Sequence, residues 1–220
     1  MNFTWIPYIY FLTSSRSLIF RPWMKEPHRT PPIKTISHEE INTLPLGAFK
    51  GKIDLVTKAD VLSKVFKEIK HHEVVGFDTE TKPAFVKGQV HKVSLLQLAI
   101  PHKVFLIRLN HTGLDREIIH FLENEKIVKA GVGIRDDIKT LHKLNRFHAA
   151  GFAELSTMAR EVGLEVESVK KLTALLLGFR ISKGAQTSNW EAEHLNEKQL
   201  LYAATDAWVC LEIYRKLMRT

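Results

Sequence analysis

Apolar positions along the chain follow two periods, and the order in which they occur predicts the fold. Val61, Leu62, Val65, Phe66 and Ile69 recur at helical spacing, so residues 56–68 read as a helix, with Thr57 placed to cap its start. Residues 74–79 have the β-branched and aromatic content of a buried strand. A basic loop follows at 82–88. The apolar runs 91–100 and 103–109 then flank a short turn containing Pro101, predicting an antiparallel meander with the first strand. Beyond it the periods alternate. Residues 114–123 read as helix, 126–131 as strand, 135–144 as helix, 152–155 as a short strand and 156–162 as helix. Residues 168–177 form an apolar helix that Gly178 is placed to end. Asn196, with Gln199 three positions on, opens a last helix through a capping box, and this helix runs to about Met218. A meander followed by strand–helix alternation predicts an α/β fold: a mixed sheet with helices on both faces.

Ahead of this body the pattern is lost. Residues 1–25 carry seven of the chain's aromatics, from Phe3 to Trp23, and no acid precedes Glu26. Pro27, Pro31 and Pro32 mark a linker. The expected division is a poorly ordered extension over residues 1–50 and one domain over 51–220, the folded body beginning between Ile41 and Ile53. The run from Trp5 to Leu12 contains Pro7, lacks a preceding basic residue and lacks a small-residue cleavage pattern, which argues against a secretory signal. Arg16, Arg21 and the missing acids give a faint likeness to an organelle-targeting segment.

Composition narrows the class. With 220 residues, 45% of them hydrophobic, the chain can bury one good core. No run approaches the roughly 18 apolar residues of a membrane span. Cys210 is the only cysteine, which excludes an intrachain disulfide and fits a reducing, cytoplasmic setting, the bacterial cytosol ahead of an organelle or nucleus. Its apolar helical surroundings predict a buried, inert thiol. Net charge is +8, and residues 51–220 keep 26 bases against 21 acids, a balance suited to a polyanionic partner such as nucleic acid.

The acids supply the chemistry. Asp78 and Glu80 end the first strand at i and i+2, so both point to one face, where two like charges call for a cation. The plainer alternative is a polar strand end. Tyr202 and Asp206 lie one turn apart on the last helix among Ala203, Ala204 and Ala207, which leave room for another backbone or a ligand. An exposed acid on an amphipathic helix is the alternative there. Asp136 and Asp137 open a helix after Gly131-Val132-Gly133, where the helix dipole alone favours carboxylates. Of the two, Asp137 has Ile134 and Leu141 on its face and is the one expected to turn inward. Four carboxylates and a phenol in one pocket call for two hard divalent cations, Mg²⁺ or Mn²⁺, and for in-line displacement at a phosphate.

In this order the motifs Phe77-Asp78-Thr79-Glu80-Thr81, Gly131-Val132-Gly133-Ile134 leading to Asp137, and Tyr202-Ala203-Ala204-Thr205-Asp206 resemble the DEDD-type 3′→5′ exonucleases. The spacing is that of the tyrosine subclass, most similar to Werner-type exonuclease domains and more distantly to ribonuclease D. The resemblance covers about residues 53–218 and includes Ser188-Asn189-Trp190. It implies a ribonuclease H-like fold with a five-stranded mixed sheet. It also implies that Asp78, Glu80 and Asp206 hold the metal that activates water, that Asp78 bridges to a second metal supported by Asp137, and that Tyr202 orients the water. Asp136 departs from the family, where one acid is usual at this pair of positions, and is expected to cap its helix. The implied partner is nucleic acid with a free 3′ end. The chain has no room for a helicase, so a stand-alone, weakly processive enzyme aided by a partner such as a helicase is expected.

Lys82, Lys87 and Lys92 are candidate phosphate contacts, with a solvated loop as the alternative. Phe85 either stacks on a terminal base or anchors its loop. Arg135, next to Asp137, is expected to form an exposed ion pair in preference to clamping a phosphate, and Trp190 to anchor a loop. The rival functions are a nucleic-acid-binding module of the same fold without catalysis, and an endonuclease acting on hybrids. The five intact motif positions argue against the first, and the Tyr202–Asp206 helix pattern argues against the second.

Overall fold

The computed structural model describes residues 35–219. The expectations for residues 1–34 lie outside the described residues. Within them, ordered structure starts ahead of residue 51. Helix α1 (His38–Thr43) opens with a capping box between Ser37 and Glu40 and buries Ile41. The following segment is clamped to the C-terminal half: Gly47 N–H donates to the Arg180 carbonyl at 2.8 Å, and Phe49 N–H donates to Thr205 Oγ1 at 3.1 Å.

The sheet has six strands, not five. Strand β1 (Lys52–Val56) is the addition. Its alternation is short and only Val56 is buried, so the apolar signal of Val56 merges with that of the neighbouring helix. Thr57 is not a cap. A 3-10 turn at Ala59–Val61 intervenes, and α2 (Leu62–Ile69) starts after it without a side-chain cap. Strands β2 (Val74–Thr81), β3 (Val93–Ile100) and β4 (Lys103–Arg108) form the expected antiparallel meander. Strand β1 then pairs parallel to β4 and covers its outer edge. A one-turn helix α3 (Leu109–Thr112) and α4 (Arg116–Leu122) lead to β5 (Val128–Gly131), which pairs parallel to β2. Helix α5 (Ile134–Leu141) connects to β6 (Phe152–Glu154), parallel to β5. Helices α6 (Leu155–Glu161), α7 (Val169–Leu177) and α8 (Glu197–Leu217) complete the chain, giving strand order β1-β4-β3-β2-β5-β6.

The alternation of β2 assigns its two faces. Val75 and Phe77 join the core under α2, α4 and α5. Gly76, Asp78 and Glu80 face the other side, where α8 crosses. That crossing is unusually close: a Cβ on Gly76 would lie 1.9 Å from the Ala207 carbonyl oxygen. The small residues around Asp206 thus admit the backbone of β2. This contact brings two motifs 130 residues apart into one site.

Candidate active site

Four elements meet at the carboxyl ends of β2 and β5. Asp78 and Glu80 project from β2 toward α8, and a register irregularity after Glu80 breaks the ladder there, a common way to aim a site residue. From α8, Tyr202 and Asp206 point back. Asp78, Glu80 and Asp206 each offer a carboxylate oxygen, all within 4.8 Å of one another. Asp137 approaches from the opposite face. Thr79, which alternation turns away from Asp78, donates its hydroxyl to Asp137 Oδ1 at 2.5 Å. The structure therefore gathers three of the expected acids in one cluster and sets the fourth beside it, tied through the residue between Asp78 and Glu80.

The electrostatics are those of acids crowded without counter-charge. Burial raises the Asp78 carboxyl well above its usual range, with Asp206, Asp137 and Glu80 adding to the rise. Burial, then Asp206 and Asp137, pushes Glu80 up to about 9. Asp206 is raised by burial to about 7 and Asp137 by burial to about 6, the Thr79 hydroxyl opposing the latter. Burial and the carboxylates of Asp206 and Glu80 push the Tyr202 phenol far up, so it stays a protonated hydroxyl. Cys210 is buried as expected, its thiol pushed well up, first by burial and then by the acids. Hard oxygen donors at this spacing fit divalent cations, which would remove the repulsion that the protein alone leaves in place.

Supporting residues that the sequence did not single out hold this geometry. Glu154, at the end of β6, accepts from Ile134 N–H at 3.0 Å and from Ser156 N–H and hydroxyl at 3.2 and 2.7 Å. It caps α5 and α6 together. Asp136 does not cap: its helix has no N-cap side-chain bond from Gly133, and Asp136 itself is exposed. The only available signal for Glu154 was an acid at a strand end, which fits many roles. Gly131 permits close approach, since a Cβ there would sit 2.7 Å from the Phe77 carbonyl oxygen. Trp190 is fully buried, as its anchoring role requires, with its ring 6.1 Å from that of Tyr202. Buried Arg108 fastens the same loop by donating to the carbonyls of Ala192 and Glu193 at 2.6 and 3.3 Å.

The acids form one wall of a cavity of about 440 Å³. Lys170, Lys171 and Lys183 form another, with Ser182 and Gln186. Burial, Lys183 and Arg180 lower the Lys170 ammonium, as expected where cations crowd one another. Of the loop lysines, Lys82 is held by Glu191 at 3.4 Å, whereas Lys87 and Lys92 are exposed. Phe85 is no loop anchor: it is 79% exposed. Arg135 is exposed and forms no ion pair among the described residues, contrary to expectation; residues two apart on a helix, such as Arg135 and Asp137, do not face each other.

Residues 53–220 match the profile of the 3′-5′ exonuclease domain. The chain belongs to that 3′–5′ exonuclease family. Within the family it is 33% identical over 186 residues to the mouse bifunctional 3′-5′ exonuclease/ATP-dependent helicase WRN, an alignment covering 80% of this chain and 13% of that protein. It spans less than a third of the next curated relatives it matches. Among solved structures, the Aedes aegypti Nibbler EXO domain superposes with a TM-score of 0.71 at 24% identity, covering 79% of this chain and 91% of that one. Trypanosoma brucei RNase D in complex with RNA U12 superposes with a TM-score of 0.70 at 18% identity, covering 78% and 64%. These similarities bear out the ribonuclease H-like fold of the exonuclease domains. Among the described residues, no helix is long and apolar enough to cross a membrane.

Proposed function

We propose that this exonuclease domain hydrolyses the terminal phosphodiester bond at the 3′ end of DNA or RNA, releasing nucleoside 5′-monophosphates with the help of two divalent cations, Mg²⁺ or Mn²⁺. The observation that carries the proposal is the approach of Asp78, Glu80 and Asp206 to within 4.8 Å of one another. Such a triad, Asp206 buried and Asp78 and Glu80 half-buried, is costly to assemble and gains its purpose from a cation.

In this reading Asp78, Glu80 and Asp206 would hold one cation, and Asp78 with Asp137 would hold the second. The cations, when bound, supply an activated water and stabilise the leaving oxygen. The Thr79 hydroxyl fixes the rotamer of Asp137, so the second position is preorganised by β2 itself. Tyr202 presents a protonated hydroxyl beside Asp206, suited to orient the attacking water while surrendering no proton. Trp190 behind it restricts the ring. Lys170, Lys171 and Lys183 face the acids across the cavity and attract the phosphates that the acids alone would repel. Exposed Phe85 offers a stacking surface for a base. A helicase is a fitting partner, since the mouse relative is itself a bifunctional exonuclease and helicase, and the lone buried Cys210 accords with a reducing cytoplasmic setting.

The test uses 5′-labelled single-stranded and duplex DNA and RNA incubated with Mg²⁺, Mn²⁺ or chelator. A ladder shortening from the 3′ end is expected, absent with chelator and with Asp78→Ala. Binding without cleavage of any substrate in either metal would refute the reading.

A further inference from the structure

We propose that the outer face of α5 is a second nucleic-acid contact, a phosphate-binding track for the part of the strand that lies outside the carboxylate cavity. The identity of the strand rests on the exonuclease reading. Arg135, Lys139, Lys143 and Arg146 line an open groove on this face, and all four are exposed. A step of four residues places Arg135 and Lys139 about 6 Å apart along α5, and Lys143 and Arg146 continue the lining of the groove past the helix end at Leu141. That spacing resembles the spacing of phosphates on an extended strand.

No ion pair neutralises any of these four cations among the described residues. Some cations elsewhere on the surface are paired, as Arg160 is with Glu167 at 3.2 Å and Arg215 with Glu212 at 3.0 Å. Of the two acids in the first turn of α5, Asp136 is exposed and forms no ion pair among the described residues, and Asp137 accepts from the Thr79 hydroxyl. Four unpaired cations in a row repel one another and gain most from a polyanion that threads past all of them.

Position selects the ligand. Helix α5 starts at the Gly131-Val132-Gly133 turn, and Val132 lines the carboxylate cavity. The track therefore begins at the cavity rim and leads away from it, so a strand with its end among the acids can continue along α5. A lipid surface fits less well. Its binding would require a broad apolar face beside the cations, but Ile134 and Leu141 are buried in the core, and Ile138, which lines the groove, packs partly against that core.

The experiment measures binding of a fluorescent 20-nucleotide single strand in chelator as KCl is varied. It compares the wild type with Lys139→Ala/Lys143→Ala/Arg146→Ala and, as a control of equal charge, Lys64→Ala/Lys67→Ala/Lys70→Ala on α2. Losing three phosphate contacts should flatten the log–log salt slope by about 2, so that the tightening from 200 to 50 mM KCl shrinks about 16-fold. The α2 control should keep the wild-type slope, and cleavage of a dinucleotide should be unaffected by the α5 changes. An unchanged slope, or equal flattening in both variants, overturns the track. So does a loss confined to anionic vesicles. If the wild type cuts nothing while the α5 variant still flattens the slope, the exonuclease reading fails and the track stands. Normal cleavage with an unchanged slope fails the track alone.

Discussion

Replacing Glu80 with Gln is expected to stabilise the metal-free protein near neutral pH while removing its response to divalent cations. Burial and two neighbouring carboxylates hold the Glu80 carboxyl at about 9, against an ordinary 4.5. An unfolded chain releases this proton at the ordinary value, so between pH 4.5 and 9 the folded state keeps a proton that the unfolded state has lost. Stability therefore falls as pH rises through that window, by at most about 1.4 kcal/mol per unit. At pH 7.5 the full penalty is about 4 kcal/mol, and residual solvent contact at this half-buried side chain reduces it to roughly 2–4 kcal/mol. Gln occupies nearly the same volume and carries no such penalty. For a domain of this size the gain corresponds to a melting temperature higher by roughly 5–12 °C at pH 7.5. Below pH 4.5 both forms are neutral and the gain vanishes. Thermal melts in chelator near pH 4.5 and pH 7.5, followed by Mg²⁺ titration, test both halves. Wild-type protein should gain stability from Mg²⁺ according to its affinity, and Glu80→Gln should gain little. An equal effect of the substitution at both pH values would refute the account, as would a variant less stable than wild type at pH 7.5 in chelator.

Other substitutions probe the parts separately. Gly76→Ala drives a methyl into the Ala207 carbonyl and should cost about 2–3 kcal/mol or more, read as a lower melting temperature together with lost cleavage. Glu154→Ala uncaps α5 and α6, so a loss of about 1–2 kcal/mol in denaturant unfolding should accompany slower turnover, because Asp137 rides on α5. Tyr202→Phe should slow cleavage about 100-fold while calorimetric metal affinity is unchanged, a split that simple damage to the site would not give. Phe85→Ala should weaken single-strand binding by about 1 kcal/mol in an anisotropy titration and leave the melting temperature alone, since the ring is exposed.

The sequence by itself determined the local elements and the chemistry they carry. Period and composition located β2 through β6 and the main helices, Asn196 and Gln199 marked the start of α8, and residue spacing placed Asp78 with Glu80 and Tyr202 with Asp206. These are properties of neighbours along the chain, settled by alternation and by the turn of a helix. The fold decided what depends on distant contacts. β1 is too short and too exposed to declare itself until β4 offers an edge to pair with. Asp136 could not be denied a capping role until Glu154 arrived from β6 to take it. Asp137 is held by the Thr79 hydroxyl of β2, a bond that exists only because α5 packs beside that strand. Above all, the two halves of the carboxylate cluster meet because Gly76 lets α8 settle directly on β2. Each of these outcomes turns on atoms packed within a few ångströms, which side-chain identity alone does not encode.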